Sequence, residues 1–179
     1  MDEIKIASIV DPTPERRKRI IEKLFDFLED KVSLAELKGI KREQLYMLAD
    51  TGFIKLKHGR LDEAEQIFKA LLLLDHRSPY FHSAMGVLHQ KRFRPVEAIC
   101  EYSTALSLNP KDIASLVNRG EIYLRHKNFR KAAEDFRSAI LLDMSGRNLW
   151  ANRARSLVIA LKRSLESGAG SKNSTPRKG

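Results

Sequence analysis

Four kinds of residue recur at one spacing along the middle of the chain. A glycine, an alanine, an aromatic residue and a leucine each return after 34 residues, and every column is complete in three successive rows. The columns are Gly52, Gly86 and Gly120; Ala64, Ala98 and Ala132; Phe68, Tyr102 and Phe136; and Leu74, Leu108 and Leu142. Because four independent columns agree in all three rows, the pattern predicts three copies of one structural unit.

A period of 34 residues is that of the tetratricopeptide repeat, in which each unit is a pair of antiparallel helices. The chain resembles this family over residues 45–78, 79–112 and 113–146. The glycine of the first helix and the alanine of the second are expected to let the two helices approach closely. The aromatic residue is expected to fill the wedge towards the next repeat. The predicted fold class is all-α, with three tandem repeats in a right-handed solenoid.

Residues 1–44 are predicted to form an N-terminal helical extension. A helix is expected to begin near Thr13 with Pro14 at its first position, and Ser33 with Glu36 forms a capping box before a second, short helix. The broad apolar face of the first helix comprises Ile20, Ile21, Leu24, Phe25, Phe27 and Leu28. Because this face is wider than one neighbouring helix covers, it predicts contact with a second copy of the chain or with another partner, and the alternative is that the helix folds back on the first repeat.

The C-terminal segment is predicted to close the solenoid and then to become a free tail. Residues 147–166 form an amphipathic capping helix with a basic outer side, and residues 167–179 have the composition of a disordered tail. The net charge is 0 over residues 1–44, +3 over 45–146 and +7 over 147–179. A basic segment of this size attracts nucleic acid or anionic membrane, which is an alternative to a simple solvated tail.

The composition limits the setting of the protein. No apolar run approaches the roughly 18 residues of a transmembrane helix, and the acidic first residues are unlike a secretory signal. A single cysteine, Cys100, excludes an internal disulfide and a cysteine-based metal site. We therefore expect a protein of a reducing cytoplasm.

No pattern in the chain predicts catalysis, a cofactor or a metal ion. Asp75 and His76 fall in a turn between repeats, while His82 and His89 are too far apart along one helix to share an ion without a third ligand. Glycine-rich phosphate loops and the motifs of hydrolases and metalloproteases are missing from the sequence. Paired acids such as Glu134 and Asp135 are expected to be solvated at helix starts. The sequence predicts that the protein is not an enzyme.

The first helices of tetratricopeptide repeats line a concave groove, which predicts the binding site. The groove positions are Tyr46, Phe53, Leu56, Lys57, Tyr80, Ser83, Val87, Gln90, Lys91, Val117, Glu121, Leu124 and Arg125. This surface is aromatic at its N-terminal side and carries a basic ladder along one edge, which favours an extended peptide with apolar anchors and neighbouring acids. Ala49 and Phe53 stand where the carboxylate clamp of heat-shock cochaperones needs Lys and Asn, so that partner class is disfavoured.

A closer resemblance is carried by residues 27–110. The segments are FLEDKVSLAELKGIKREQLYMLA, ALLLLDHRSPYFHSAMGVLHQ and AICEYSTALSLNP, and the Leu-Asp-His turn at 74–76 is the most specific part. They are similar to the class II, or translocator, chaperones of bacterial type III secretion systems. The resemblance implies a chaperone that holds a secreted pore-forming subunit in its groove in the bacterial cytoplasm, with the region before the repeats used for dimer formation. A tetratricopeptide scaffold in another protein assembly is the alternative.

Overall fold

The computed structural model describes residues 13–170 and the side chains of residues 13–163. The described part consists of helices joined by short turns. They are α1 (Pro14–Leu28), α2 (Leu34–Leu37), α3 (Arg42–Lys57), α4 (Leu61–Leu74), α5 (Pro79–Lys91), α6 (Pro95–Leu108), α7 (Ile113–Arg125), α8 (Phe129–Leu142) and α9 (Leu149–Gly170). Three helix pairs, α3 with α4, α5 with α6 and α7 with α8, stack in sequence to form the predicted helical solenoid.

The turn inside each helix pair has the same backbone conformation in all three repeats. Gly59, Phe93 and Lys127 are 34 residues apart and adopt positive φ angles of 75°, 57° and 58°. Glycine adopts this left-handed conformation without cost, whereas a side chain makes it unfavourable. The second helices consequently begin in strict register, at Leu61, Pro95 and Phe129. Phe93 and Lys127 adopt this conformation although they carry side chains, and 93% of the Phe93 surface is exposed.

Each repeated glycine faces the aromatic residue of its own repeat. A Cβ on Gly52 would lie 2.5 Å from Phe68, one on Gly86 2.7 Å from Tyr102, and one on Gly120 2.7 Å from Phe136. These separations are well below van der Waals contact, so the ring occupies the space that the missing side chain leaves. The expectation that the ring fills the wedge towards the next repeat is therefore incomplete, because its first contact closes its own helix pair.

The apolar core runs along the solenoid in adjoining clusters. The first joins α2, α3, α4 and α5, and its fully buried members include Phe68, Leu71 and Phe81. A smaller one joins Tyr102 of α6 to Ile122 of α7, so this aromatic residue also contacts the following repeat. The last joins α7 and α8 to α9 through the buried Ala154. The core thus continues from repeat to repeat without a break between domains.

Asp135 is buried, which contradicts the expectation of a solvated helix start. Its carboxylate accepts two hydrogen bonds from Arg119, at 2.7 Å and 2.9 Å, and a third guanidinium nitrogen donates to Ser103 at 2.9 Å. The hydrogen bonds from Arg119 to Asp135 raise the pKa of the arginine. Arg119 stands where the repeat pattern usually has a leucine, so a buried ion pair replaces apolar packing and ties α7 to α8 and α6.

The N-terminal extension is attached mainly through α2. At the start of α1, the Thr13 hydroxyl accepts a hydrogen bond from the backbone N–H of Arg16. At the start of α2, Ser33 and Glu36 form the predicted capping box. Helix α1 packs on α2 alone among the described helices. In the turn between them, the Asp30 carboxylate lies 3.0 Å from Nε2 of His76, which belongs to the α4–α5 turn. The apolar face of α1 is consequently left uncovered by the rest of residues 13–170.

Helix α9 covers the end of the solenoid and is longer than the sequence predicts. It begins at Leu149, buries Ala151 and Ala154 completely, and extends to Gly170, beyond the boundary expected at residue 166. The remainder of the predicted tail, residues 171–179, lies outside the described residues, as do residues 1–12. No helix within residues 13–170 is both long and apolar enough to cross a membrane.

Deletion of residues 167–179 is expected to leave the melting temperature within about 1 °C of the full chain. Ala169 is the only apolar side chain in this segment. Deletion of the segment therefore exposes little apolar surface of the solenoid to water. Differential scanning calorimetry of the two proteins measures the difference. A fall of many degrees would show that the segment packs against the solenoid.

Candidate functional site

The N-terminal part of the concave face carries an aromatic section formed by Tyr46, Phe53 and Tyr80. The ring centroids of Tyr46 and Tyr80 are 5.4 Å apart in an edge-on arrangement, and those of Phe53 and Tyr80 are 6.0 Å apart. Tyr46 and Tyr80 expose 42% and 38% of their surfaces, whereas Phe81 and Phe68 behind them are buried. A rigid core thus holds aromatic rings at an open surface, which is the arrangement of an interface anchor.

The hydroxyl of Tyr80 remains protonated over the physiological range. Burial raises the pKa of Tyr80, and the nearby Asp50 carboxylate and Tyr46 raise it further. A neutral hydroxyl both donates and accepts a hydrogen bond. The aromatic section therefore offers a ligand the apolar faces of its rings together with the hydrogen-bonding hydroxyl of Tyr80.

The C-terminal part of the concave face is a cavity of about 540 Å³ between α5, α7 and α9. We call it the basic section. It is lined by Val87, Gln90, Lys91, Phe93, Asn118, Glu121, Arg125, Trp150 and Arg153. Five of these residues, at positions 87, 90, 91, 121 and 125, are groove positions predicted from the sequence. The structure thus brings residues from two predicted repeats together with residues of the capping helix.

Trp150 and Arg153 were missed because the 34-residue register ends before α9. Helix α7 begins at Ile113 and α9 at Leu149, an interval of 36 residues. With the additional two residues, Trp150 and Arg153 correspond to Ala114 and Val117, both of which are concave positions in the repeat pattern. An alignment of the start of α9 with the start of α7, in place of a fixed 34-residue period, would have placed both residues in the groove.

Several predicted groove residues have other roles. Leu56 and Val117 are buried in the core, so they are unavailable to a ligand in this structure, which corrects their prediction as groove residues. Leu124 is partly buried against the last core cluster, and the hydroxyls of Ser83 and Ser115 share a hydrogen bond of 3.0 Å. Lys57 is exposed on α3.

Glu121 is also buried, but its carboxylate is paired with two arginines at the cavity. Arg153 forms two hydrogen bonds with it, one of them 3.0 Å long, and Arg125 lies 3.7 Å away. The guanidinium of Arg153 also lies 6.0 Å from the centre of the Trp150 ring. Glu121 therefore positions the arginines rather than presenting a free acid to a ligand.

A chain of hydrogen bonds crosses the floor of the basic section. The hydroxyl of Tyr102 donates to Oε1 of Gln90 at 2.6 Å. The Asn118 side chain in turn hydrogen-bonds the Tyr102 oxygen and opposes the rise that burial produces in the pKa of this tyrosine. The Gln90 amide nitrogen has no hydrogen-bond partner among the described residues, so it is a donor that can interact with a ligand.

Both ring nitrogens of His82 take part in contacts that join neighbouring elements. Nδ1 of His82 lies 2.7 Å from Glu101, and Nε2 lies 2.8 Å from the carbonyl oxygen of His76. Both ring nitrogens face acceptors, and the hydrogen bond with Glu101 is the main cause of a raised pKa for His82. The pair links α5 to α6. Among the described residues, no cluster of His, Cys, Asp or Glu is arranged to hold a metal ion.

The chain has similar proteins among both curated sequences and solved structures, although no protein-family model matches it. Human Tetratricopeptide repeat protein 6 is 32% identical over 74 residues, which is 41% of this chain and only 14% of that protein. Chaperone protein SicA of Salmonella typhimurium is 24% identical over 119 residues, which covers 66% of this chain and 72% of SicA. The chain thus spans a small part of the first relative and most of the second.

Several of the similar solved structures come from type III secretion. A type III secretion complex from Aeromonas hydrophila contains a chain that is 28% identical, with a TM-score of 0.69, covering 80% of this chain and 97% of that one. PcrH in complex with the chaperone-binding region of PopB is 25% identical, with a TM-score of 0.59 and coverages of 66% and 97%. The translocator chaperone SycD of Yersinia enterocolitica has a TM-score of 0.66 at 23% identity, with coverages of 72% and 98%. The chain has the helical solenoid fold of tetratricopeptide-repeat proteins and resembles the class II, or translocator, chaperones of bacterial type III secretion systems.

Proposed function

We propose that this protein is a non-catalytic chaperone that binds an extended segment of a secreted translocator-type protein in its concave groove, in the bacterial cytoplasm. The half-exposed aromatic section is the observation that carries the proposal. The chaperone-binding region of PopB is bound by PcrH, which has the same fold and covers two thirds of this chain. Binding of such a segment would prevent an aggregation-prone client from associating with other copies of itself before export.

The aromatic section has the physical properties of a peptide anchor site. Tyr46, Phe53 and Tyr80 lie on two neighbouring first helices and are supported from behind by buried rings. Tyrosine and phenylalanine lose little conformational entropy on binding, because each has only two side-chain torsions and these are already restricted by packing. Covering their exposed faces with an apolar side chain removes water from surface that the free chaperone leaves exposed.

The proposal is tested with Tyr80→Ala and Phe53→Asp. The probes are fluorescein-labelled peptides of about 15 residues, an extended length of roughly 50 Å, that tile the N-terminal regions of translocator subunits encoded in the same genome. Each variant is expected to weaken the best-binding peptide about thirtyfold, which corresponds to the ~2 kcal/mol of an aromatic anchor. Fluorescence anisotropy measures the dissociation constants.

Phe129→Ala is the matched control, because Phe129 is a similarly exposed aromatic residue on α8 that does not line the groove cavity. Circular dichroism establishes that all three variants keep their helical content. Equal affinity of the wild type and both groove variants would refute the proposed site. Absence of binding by every translocator peptide would instead favour a scaffold role in another assembly.

A further inference from the structure

We propose that the basic section selects client segments in which an internal aspartate or glutamate side chain lies next to the apolar anchors, on either side of them in the client sequence. This inference rests on the proposed function and adds to it a chemical requirement on the client. The aromatic section would take the apolar anchors, and the neighbouring cavity of about 540 Å³ between α5, α7 and α9 would take the acidic side chain.

The charge of the cavity is positive after its internal pairing is counted. Lys91, Arg125 and Arg153 line it together with a single carboxylate, that of Glu121. Glu121 is buried and is held by both arginines, so it satisfies part of their hydrogen-bonding capacity but cannot balance three cations. Lys91 is exposed and makes no ion pair with any described residue. A carboxylate from a ligand would supply the charge that is missing.

The other polar groups of the cavity also favour an acceptor. The Gln90 oxygen accepts from Tyr102, which leaves the Gln90 amide nitrogen as a donor towards the groove. Trp150, whose indole nitrogen is only a donor, and Phe93 provide aromatic walls against which the methylene groups of a glutamate can pack. The ligand chemistry that matches donors, cations and apolar walls is a carboxylate on a short aliphatic stem.

The arrangement favours an internal side chain over a C-terminal carboxylate. Terminal carboxylates are typically bound by a concave set of free backbone N–H groups. The cavity is lined mainly from the interior of helices, where backbone N–H groups are already bonded. The one loop residue, Phe93, donates its amide to Gln90 at 3.1 Å. Side-chain cations therefore supply the recognition, and they suit an acid on a chain that passes through the groove.

The test is selection of phage-displayed random peptides of about 12 residues, long enough to extend roughly 40 Å along the groove. Selections are made on the full chain, on Lys91→Glu and on Lys111→Glu. Lys111 lies in the turn between α6 and α7, away from the cavity, so its substitution makes the same change of charge elsewhere. Wild type and Lys111→Glu are expected to enrich apolar residues with Asp or Glu at a fixed spacing from them. Lys91→Glu is expected to keep the apolar enrichment and to lose the acidic one.

The strongest selected peptide is then synthesised with Glu, Gln or Lys at the acidic position. Wild type is expected to bind the Glu form about fivefold more tightly than the Gln form, and Lys91→Glu to prefer the Lys form. Raising the salt concentration should remove this difference while leaving the apolar contribution. Trp150 is the only tryptophan of the chain, so its fluorescence reports occupancy of the basic section directly.

The outcomes separate this inference from the proposed function. Enrichment of apolar residues without acids would overturn the inference and leave the peptide-binding function standing. A Glu preference that does not change Trp150 fluorescence would place the acid elsewhere and would also overturn it. No peptide enrichment on the wild-type chain would overturn the proposed function and this inference with it.

Discussion

Tyr102→Ala is expected to lower the free energy of unfolding by about 3–5 kcal/mol, the largest effect of any single substitution considered for this chain. The Tyr102 side chain is completely buried, and it fills the space that Gly86 leaves on the facing helix. It also packs with Ile122 of the next repeat. Its removal would therefore open a cavity where two repeats meet, and neither helix pair can collapse into it without moving the other. Chemical denaturation followed by circular dichroism measures the loss.

Tyr102→Phe separates the hydroxyl from the ring. The ring contacts remain, but Gln90 and Asn118 lose their shared partner on the groove floor. We expect a smaller loss of about 1–3 kcal/mol, the range for a buried polar group left without a hydrogen bond. An equal loss in both variants would show that the hydroxyl network, rather than ring packing, holds the repeats together. A loss below about 1 kcal/mol in Tyr102→Ala would contradict the rigid interface described above.

The repeat period predicted most of the fold because its glycine, alanine and aromatic columns mark positions where only that kind of residue fits the packing. Gly52, Gly86 and Gly120 cannot be replaced by larger residues without striking the ring that faces them. Such a constraint recurs wherever the same helix pair recurs, so it is visible as spacing. The capping box at Ser33 and the helix start at Pro14 were equally predictable, because both depend on residues close together in the sequence.

The candidate site was less accessible to sequence reasoning, because it depends on contacts between distant residues. The period placed Val87, Gln90 and Lys91 on the concave face, but it could not show that α9 completes a cavity beside them. It also could not distinguish Val117, which is fully buried, from Val87, which lines the cavity. Asp135 was misjudged for the same reason: its partner Arg119 lies on another helix, and the exposure of a helix start depends on that packing.

The second large effect concerns self-association through the exposed face of α1. Ile20, Ile21, Leu24, Phe25 and Leu28 remain between 46% and 69% exposed. Completing the burial of five such side chains is worth about 1 kcal/mol each, or roughly 5 kcal/mol per chain. Because α1 contacts only α2 among the described helices, no other part of the described chain covers this face. We therefore expect the full-length protein to be a dimer at about 50 µM, in the range where such a gain offsets the cost of association.

Phe25→Asp should convert this dimer to a monomer, because it places a charge in the centre of the paired apolar faces while leaving α1 free to remain helical. Deletion of residues 1–30 should have the same effect. Ile159→Asp is the matched control, since Ile159 is a comparably exposed apolar residue on α9. Sedimentation equilibrium gives the mass of each protein. A monomeric full-length protein at this concentration would mean that α1 does not pair with a second copy. Its apolar face would then be expected to contact the client or another partner.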